Sequence, residues 1–198
     1  MSLKDTCDIE KIHKKQAKEI IAKYHYLGSK GFRSSASYGL FNGRLIGACV
    51  FHGVSAPETV VGAFGLDRKD QDGIWELGRL VIDKDYNGKN YTSYLVGNSI
   101  KQLRKEYPVR AIISYADSSL HNGGIYRATN FVYCGLTAPK KDFYVAGKIQ
   151  ERGKTKGVDG VWKPRPRKHR YVLIYDKQLH LKWETLNFKA SQTVGQNG

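Results

Sequence analysis

No stretch constrains the fold of this chain more than Val109–Gly135, VRAIISYADSSLHNGGIYRATNFVYCG. Its first half, Val109 to Tyr115, is a short apolar run that follows a Tyr107-Pro108 break. That composition predicts a strand buried on both faces, as in the interior of an α/β sheet. The run ends in Ala116-Asp117, followed by Ser118, Ser119, His121, Asn122 and the pair Gly123-Gly124. A carboxylate at the C-terminal end of such a strand, with a glycine turn behind it, occupies the usual place for chemistry in an open α/β sheet. An aspartate there serves equally well as the N-cap of the next helix. The reactive side chains around Asp117 favour chemistry. Ile125 to Asn130 then reads as one or two helical turns leading into a strand at Phe131-Val132-Tyr133.

The rest of the chain supplies neighbours for that strand. Asp8 to Tyr24 carries Ile9, Ile12, Ala17, Ile20 and Ile21 among lysines, which predicts an amphipathic helix capped by Asp5 or Thr6. It runs into Tyr24-His25-Tyr26-Leu27-Gly28, so His25 sits at a helix-to-loop junction between two aromatics. Ser34 to Val54 reads as a β-hairpin turning at Asn42-Gly43. Pro57 breaks the pattern, and a further strand is expected over Val60 to Leu66. Ile74 to Asp83 is a clear strand. Simple alternation puts Glu76, Gly78 and Leu80 on one face, and Trp75, Leu77, Arg79 and Val81 on the other. Arg79 within such a run calls for a partner or a ligand. A helix from Thr92 or Ser93 to Glu106 buries Leu95, Val96, Ser99, Ile100 and Leu103. The loop before it, with Gly88, Asn90 and Thr92, forms with the strand and the helix N-terminus a cradle suited to an anion.

Charge decides the class of partner. Lys and Arg number 33 against 18 Asp and Glu, for a net charge of +15, which favours a polyanion such as double-stranded DNA. The excess concentrates in Lys140–Arg170, where 11 Lys and Arg face three acids. Gly147, Gly153, Gly157, Gly160, Pro164 and Pro166 make this segment read as a long basic loop or arm, with one strand near Phe143-Tyr144-Val145. Lys140, Lys141, Arg165, Arg167, Lys168 and Arg170, with Trp162 among them, suit phosphate contact and base stacking. Tyr171–Tyr175 is a closing strand, which keeps the basic segment inside the domain as an insertion. The expected organisation is one domain over residues 1–189, with a disordered tail at 190–198. Cys7, Cys49 and Cys134 show no CxxC spacing and fit a reducing cytoplasm without disulfides or structural zinc. No apolar run reaches the ~20 residues that span a bilayer, and the N-terminus lacks a signal-peptide core.

The order of helix, hairpin, strand, loop and helix, strand, short helix and closing strand resembles the GNAT acyltransferase fold, a central mixed twisted sheet flanked by helices. Four blocks make the resemblance more specific. Tyr24–Gly28, Glu76–Leu80, Ser114–Asp117 and Gly124–Gly135 together are similar to the Mom family of phage DNA-modifying proteins. That resemblance implies conversion of the adenine N6 amine in DNA to an N6-carbamoylmethyl group, in the host cytoplasm, protecting the DNA from restriction. It places the family's functional residues on His25, Tyr26, Asp117 and Tyr126, and associates iron or another divalent metal with the protein. GNAT enzymes that use acetyl-CoA carry Gln/Arg-x-x-Gly-x-Gly/Ala before the long helix. Here Asn90 stands at the second glycine position, and a side chain there obstructs close approach to a pyrophosphate.

In the expected mechanism Asp117 accepts from the amine, and His25 is a proton acceptor or metal ligand. Tyr26 or Tyr126 stacks the base or donates a proton, and Arg79 and Glu76 orient donor or cofactor. His52 and His121 are too scattered to complete a ligand signature with His25 and Asp117. Two alternatives stay open: an acetyl-CoA-dependent N-acetyltransferase acting on another amine, and a non-enzymatic DNA-binding protein on a degenerate GNAT scaffold. Either a monomer or a dimer is compatible with the sequence.

Overall fold

The computed structural model describes residues 2–87, 90–150, 153 and 155–188; the tail expected at 190–198 lies outside them. A one-turn helix, α1 (Leu3–Thr6), precedes an edge strand, β1 (Asp8–Lys11). That strand occupies the start of the helix expected from Asp8. Its backbone pairs antiparallel with β2 (Ala36–Asn42), which satisfies Asp8–Lys11 better than an extra helical turn would. Helix α2 (Lys14–Tyr24) starts instead at His13, whose side chain accepts from the Lys15 amide while Gln16 reaches back to the His13 amide. The hairpin forms as expected, with β3 (Arg44–Gly53) returning through Asn42-Gly43. Val60–Leu66 is not a strand. Pro57 opens helix α3 (Pro57–Phe64) at its first turn, where a missing N–H is no loss, and Gly65 closes it at φ 71°.

Strand β4 (Ile74–Ile82) leads through a loop to α4 (Tyr91–Glu106), which crosses over to β5 (Ala111–Asp117), parallel to β4. Then follow α5 (Gly124–Ala128), β6 (Val132–Leu136), β7 (Lys140–Val145), β8 (Lys148–Ile149), β9 (Val161–Arg165) and β10 (Lys168–Ile174). The main sheet is mixed, in the order β1-β2-β3-β4-β5-β10-β6. One face is covered by α4, whose Leu95, Val96, Ile100 and Leu103 pack on Tyr38, Cys49, Phe51 and Ile112. The other carries α2, with Ala17, Ile20 and Ile21 on Ala48, Val50 and Val81, and α3, with Val60 and Ala63 on Ile113 and Val172. The basic segment is more ordered than a loop with one strand. It forms a second antiparallel sheet, β8-β7-β9, inserted before β10.

Two features position the site. Strands β4 and β5 pair from Ile74–Ala111 to Leu77–Ser114 and no further, although each continues for several residues. At the same point β4 bulges. Val50 pairs with Arg79 and Phe51 with Leu77, so Gly78 is the extra residue. The bulge overturns the simple alternation expected for this strand, because one added residue exchanges the faces beyond it. Trp75 and Leu77 therefore share the α4 face with Leu80 and Ile82, while Val81 packs under α2. Gly78 is required there, since a Cβ would lie 2.1 Å from Nε2 of the buried His52. Gly78→Ala is accordingly expected to destabilise the protein by about 1–3 kcal/mol, the usual range for overpacking. Urea unfolding of the variant beside wild type checks this.

Candidate active site

Where β4 and β5 part, a cavity of about 650 Å³ opens. Its walls are β4 from Glu76 to Ile82, Tyr115 and Asp117 on β5, the Tyr24–Leu27 segment after α2, the loop through Leu120 and His121, and Gly123–Tyr126. Asn87 and Thr92, at the entry to α4, close one end. The size suits a drug-sized or nucleotide-sized ligand. Segments far apart in sequence thus converge on one space, and His25, Tyr26, Asp117 and Tyr126, the four residues given catalytic roles from the sequence, all lie in it.

His25 is the C-cap of α2, which fixes its backbone through the bond from its amide to the Ile21 carbonyl. Its Nδ1 accepts from the Leu27 amide at 3.1 Å. Burial, and then the charges of Arg79 and His121, lower its pKa to about 4. The ring is therefore neutral and carries its proton on Nε2, which makes it a hydrogen-bond donor. Tyr26 stacks on that ring at 4.5 Å between centroids and leaves half its own surface in solvent. Burial and the nearby Asp117 charge raise the Tyr26 pKa. Arg79 finds acceptors in the carbonyls of Gly78 (2.7 Å) and Lys30 (3.0 Å). Its Nε is buried without a hydrogen-bond partner among the described residues.

Asp117 does not cap α5; Gly123 stands at that position. Its Oδ1 accepts from the Ser119 amide at 3.0 Å and from the Ser119 hydroxyl at 2.6 Å. Burial pushes the carboxyl up, but the Ser119 bonds, with Lys168 and His121, outweigh it and hold the pKa below the ordinary value. Asp117 is thus an anchored, ionised carboxylate. Tyr126 forms an inner wall, buried between Phe131 and Tyr171, and burial pushes its hydroxyl up to about 12. Glu76 lines the cavity while accepting from the Ser55 amide at 3.2 Å.

The expected donor-binding loop is only partly in place. Thr92 lines the cavity, Gly88 lies outside the described residues, and Asn90 caps α4 at φ 60°. That left-handed backbone is one glycine favours and asparagine tolerates, so the conformation of a glycine position is kept while a side chain is added. No group of three or more His, Cys, Asp or Glu among the described residues could hold a metal ion. The Leu27 amide also occupies Nδ1 of His25, which leaves the proton on Nε2, so the residues present do not fit the iron or other divalent ion expected here.

The basic residues separate. Lys140, Lys141 and Trp162 are exposed on the β8-β7-β9 sheet, and Trp162 leans on Phe143 at 5.1 Å. Arg165 is tied to Asp142, Arg167 donates to the Thr137 carbonyl at 2.6 Å, and Arg170 lies over the Trp183 ring at 4.5 Å. Lys168, expected to contact nucleic acid, is exposed and lines the cavity beside Asp117. Ser119, Tyr115 and Leu120 were given no role of their own by the sequence reading. Only Ser119 left a signal, as a hydroxyl two residues after an aspartate, the spacing of an Asx turn.

The depressed pKa of His25 has a measurable consequence. The unfolded chain takes up a proton near the ordinary value of 6.5, whereas the folded protein takes it up only near 4. His25 therefore withdraws stability as pH falls through that window, and does so no further below it. The ring resonances of His25 in an NMR titration are expected to shift near pH 4, and His25→Gln to flatten this part of the stability profile.

Comparison with solved structures identifies the fold. A GNAT-family acetyltransferase from Streptococcus pneumoniae superposes with TM-score 0.53 at 15% identity, over 85% of this chain and 99% of that one. The ribosomal-protein-S18-alanine N-acetyltransferase of Escherichia coli gives 0.51 at 14%, over 88% and 99%. A GNAT-family acetyltransferase from Elizabethkingia anophelis with acetyl-CoA bound gives 0.51 at 10%, over 86% and 99%. The chain thus has the GNAT-like fold. A comparison with curated proteins gave no match. The model of the Mom protein family, in contrast, matches residues 6–192, nearly the whole chain, and the chain belongs to that family.

Proposed function

We propose that this protein is a transferase that modifies the N6 amine of adenine in double-stranded DNA, converting it to an N6-carbamoylmethyl group and so shielding the DNA from restriction. The observation that carries the reading is Asp117. It is an ionised carboxylate whose hydrogen bonds from the described residues all go to Oδ1, in the wall of a cavity that also presents the exposed ring of Tyr26 and has room for a base and a donor. Membership of the Mom family and the net charge of +15 support a DNA substrate.

An adenine amine is a weak nucleophile because its lone pair is delocalised into the ring. It becomes acidic once its bond to carbon begins to form. A low-pKa carboxylate therefore suffices as the acceptor, and in this reading Asp117 Oδ2 takes the N6 proton as the N6–carbon bond forms and the donor's leaving group departs. His25 donates from Nε2, Tyr26 stacks the base, and the Tyr126 hydroxyl closes the inner wall. Lys168 and Arg79 keep the site electropositive, with Glu76 helping to orient the donor. To enter the cavity the base must leave the helix, at a cost of a few kcal/mol, offset by stacking and phosphate contact. Exposed Lys140, Lys141 and Trp162 on the second sheet, and exposed Arg167, supply such contacts in this reading, whereas Arg165 is engaged by Asp142 and Arg170 lies over Trp183.

A second reading, an acetyl-CoA-dependent N-acetyltransferase acting on another amine, is favoured by Asn87 and Thr92 at the cavity end of α4. The first amides of a helix lack intrahelical partners and suit an anion. Bound acetyl-CoA would supply an activated acyl carbonyl there.

Mass spectrometry of nucleosides from DNA of cells expressing the protein is expected to reveal a new adenosine species, whose mass names the transferred group. Asp117→Asn should reduce it at least about 100-fold, the usual contribution of a positioned general base. Modification unchanged in Asp117→Asn would overturn the assignment. Unmodified DNA together with micromolar acetyl-CoA binding by calorimetry would favour the second reading.

A further inference from the structure

We infer that a second cavity, adjoining the first, holds a neighbouring nucleobase of the DNA strand whose adenine is modified; this rests on the reading of the first cavity given above. The second cavity measures about 440 Å³ and lies across the loop Ser118–Asn122. Leu120 and His121 line both cavities, so the loop is a common wall between them. A strand that delivers one base into the first space passes over this wall.

The chemistry of the second cavity matches a nucleotide. Tyr133, His169 and Phe188 form a trio of rings in mutual contact, with centroids 5.5, 5.1 and 5.6 Å apart. The trio is held in register by the hydrogen bond of 2.9 Å between the Tyr133 hydroxyl and His169 Nδ1. Arg127 lies 3.9 Å from the Phe188 ring centroid, which fixes that ring from another side. Arg167 stands at the rim, exposed, with its Nε tethered to the Thr137 carbonyl. No carboxylate is among the described residues that line the cavity. Aromatic surface with a cation beside it and no acid selects a planar, anionic ligand, and every base has a face to stack. Ser118, Ser119 and Asn122 complete the wall with groups able to bond a base edge.

The position of this cavity also explains why the basic run ends as it does. Three successive residues at the start of β10 serve the two spaces, Lys168 the first, and His169, with Arg167 just before the strand, the second. A phosphate between the two nucleotides would lie between opposite flanks of one short positively charged strand.

The test uses duplex oligonucleotides with 5-iodouracil immediately 5′ or 3′ of the target adenine, irradiated in complex with the full-length protein. Crosslinked peptides are then mapped by mass spectrometry. One of the two positions is expected to crosslink to His169 or Phe188. Phe188→Ala is expected to weaken oligonucleotide binding about tenfold, in line with the loss of one base–aromatic stack, while Phe188→Tyr retains affinity. Crosslinks confined to other segments, no crosslink at all, or an equal effect of Ala and Tyr at position 188 would overturn the inference. The crosslink requires no turnover. Its failure beside adenine modification that depends on Asp117 removes the second cavity alone, whereas a crosslink obtained where Asp117→Asn still modifies DNA removes only the first reading.

Discussion

Backbone pairing between β4 and β5 is the constraint on which the site depends. Two parallel strands that stayed paired to their ends would leave no space between their side chains. Here the ladder stops at Leu77 and Ser114, and the Ser114 hydroxyl closes it by donating to the Leu77 carbonyl at 2.9 Å. Beyond that bond each strand follows its other neighbour, β4 staying on β3 and β5 on β10. The bulge at Gly78 adds a local twist and sends Arg79 toward the segment after α2. A gap made in this way is rigid, because both of its edges remain hydrogen-bonded on their outer sides.

Much of this was legible in the sequence because it is local. Asn42-Gly43 specifies its hairpin, the inner face of α4 follows from a period near four, and the apolar run before Asp117 reads as a strand. Asp117 itself was legible as a residue ending a strand. What was not legible depends on the choice between competing partners. Ile9 fits a helical stripe, yet the open edge of β2 claims it. Pro57 reads as a break, but at the first turn of a helix it is a start. The faces of β4 could not be read from alternation, because the strand bulges at Gly78, where only a glycine leaves room for His52, a residue 26 positions earlier.

The basic segment shows the same limit from the side of charge. Sequence reports where cations are, not what they touch. Arg165 and Arg170 look equivalent to their neighbours in the chain, yet one is neutralised by Asp142 and the other lies against Trp183. Strand alternation then divides what remains, so that a run legible as one patch becomes a surface contribution and a contribution to the cavity.

The bond from the Leu27 amide to His25 has an effect larger than its size. With Nδ1 filled and the ring neutral, His25 offers a hydrogen, whereas Asp117 offers a lone pair. The site is therefore polarised, and under the proposed function a base entering it would present a hydrogen toward Asp117 and a lone pair toward His25. The Watson–Crick edge of adenine has that order, N6–H beside N1. Guanine held in the same orientation reverses it, with O6 beside N1–H, and would bring hydrogen to hydrogen and lone pair to lone pair. Under the proposed function, a single backbone amide at a helix end thus sets which edge of a purine the site would favour.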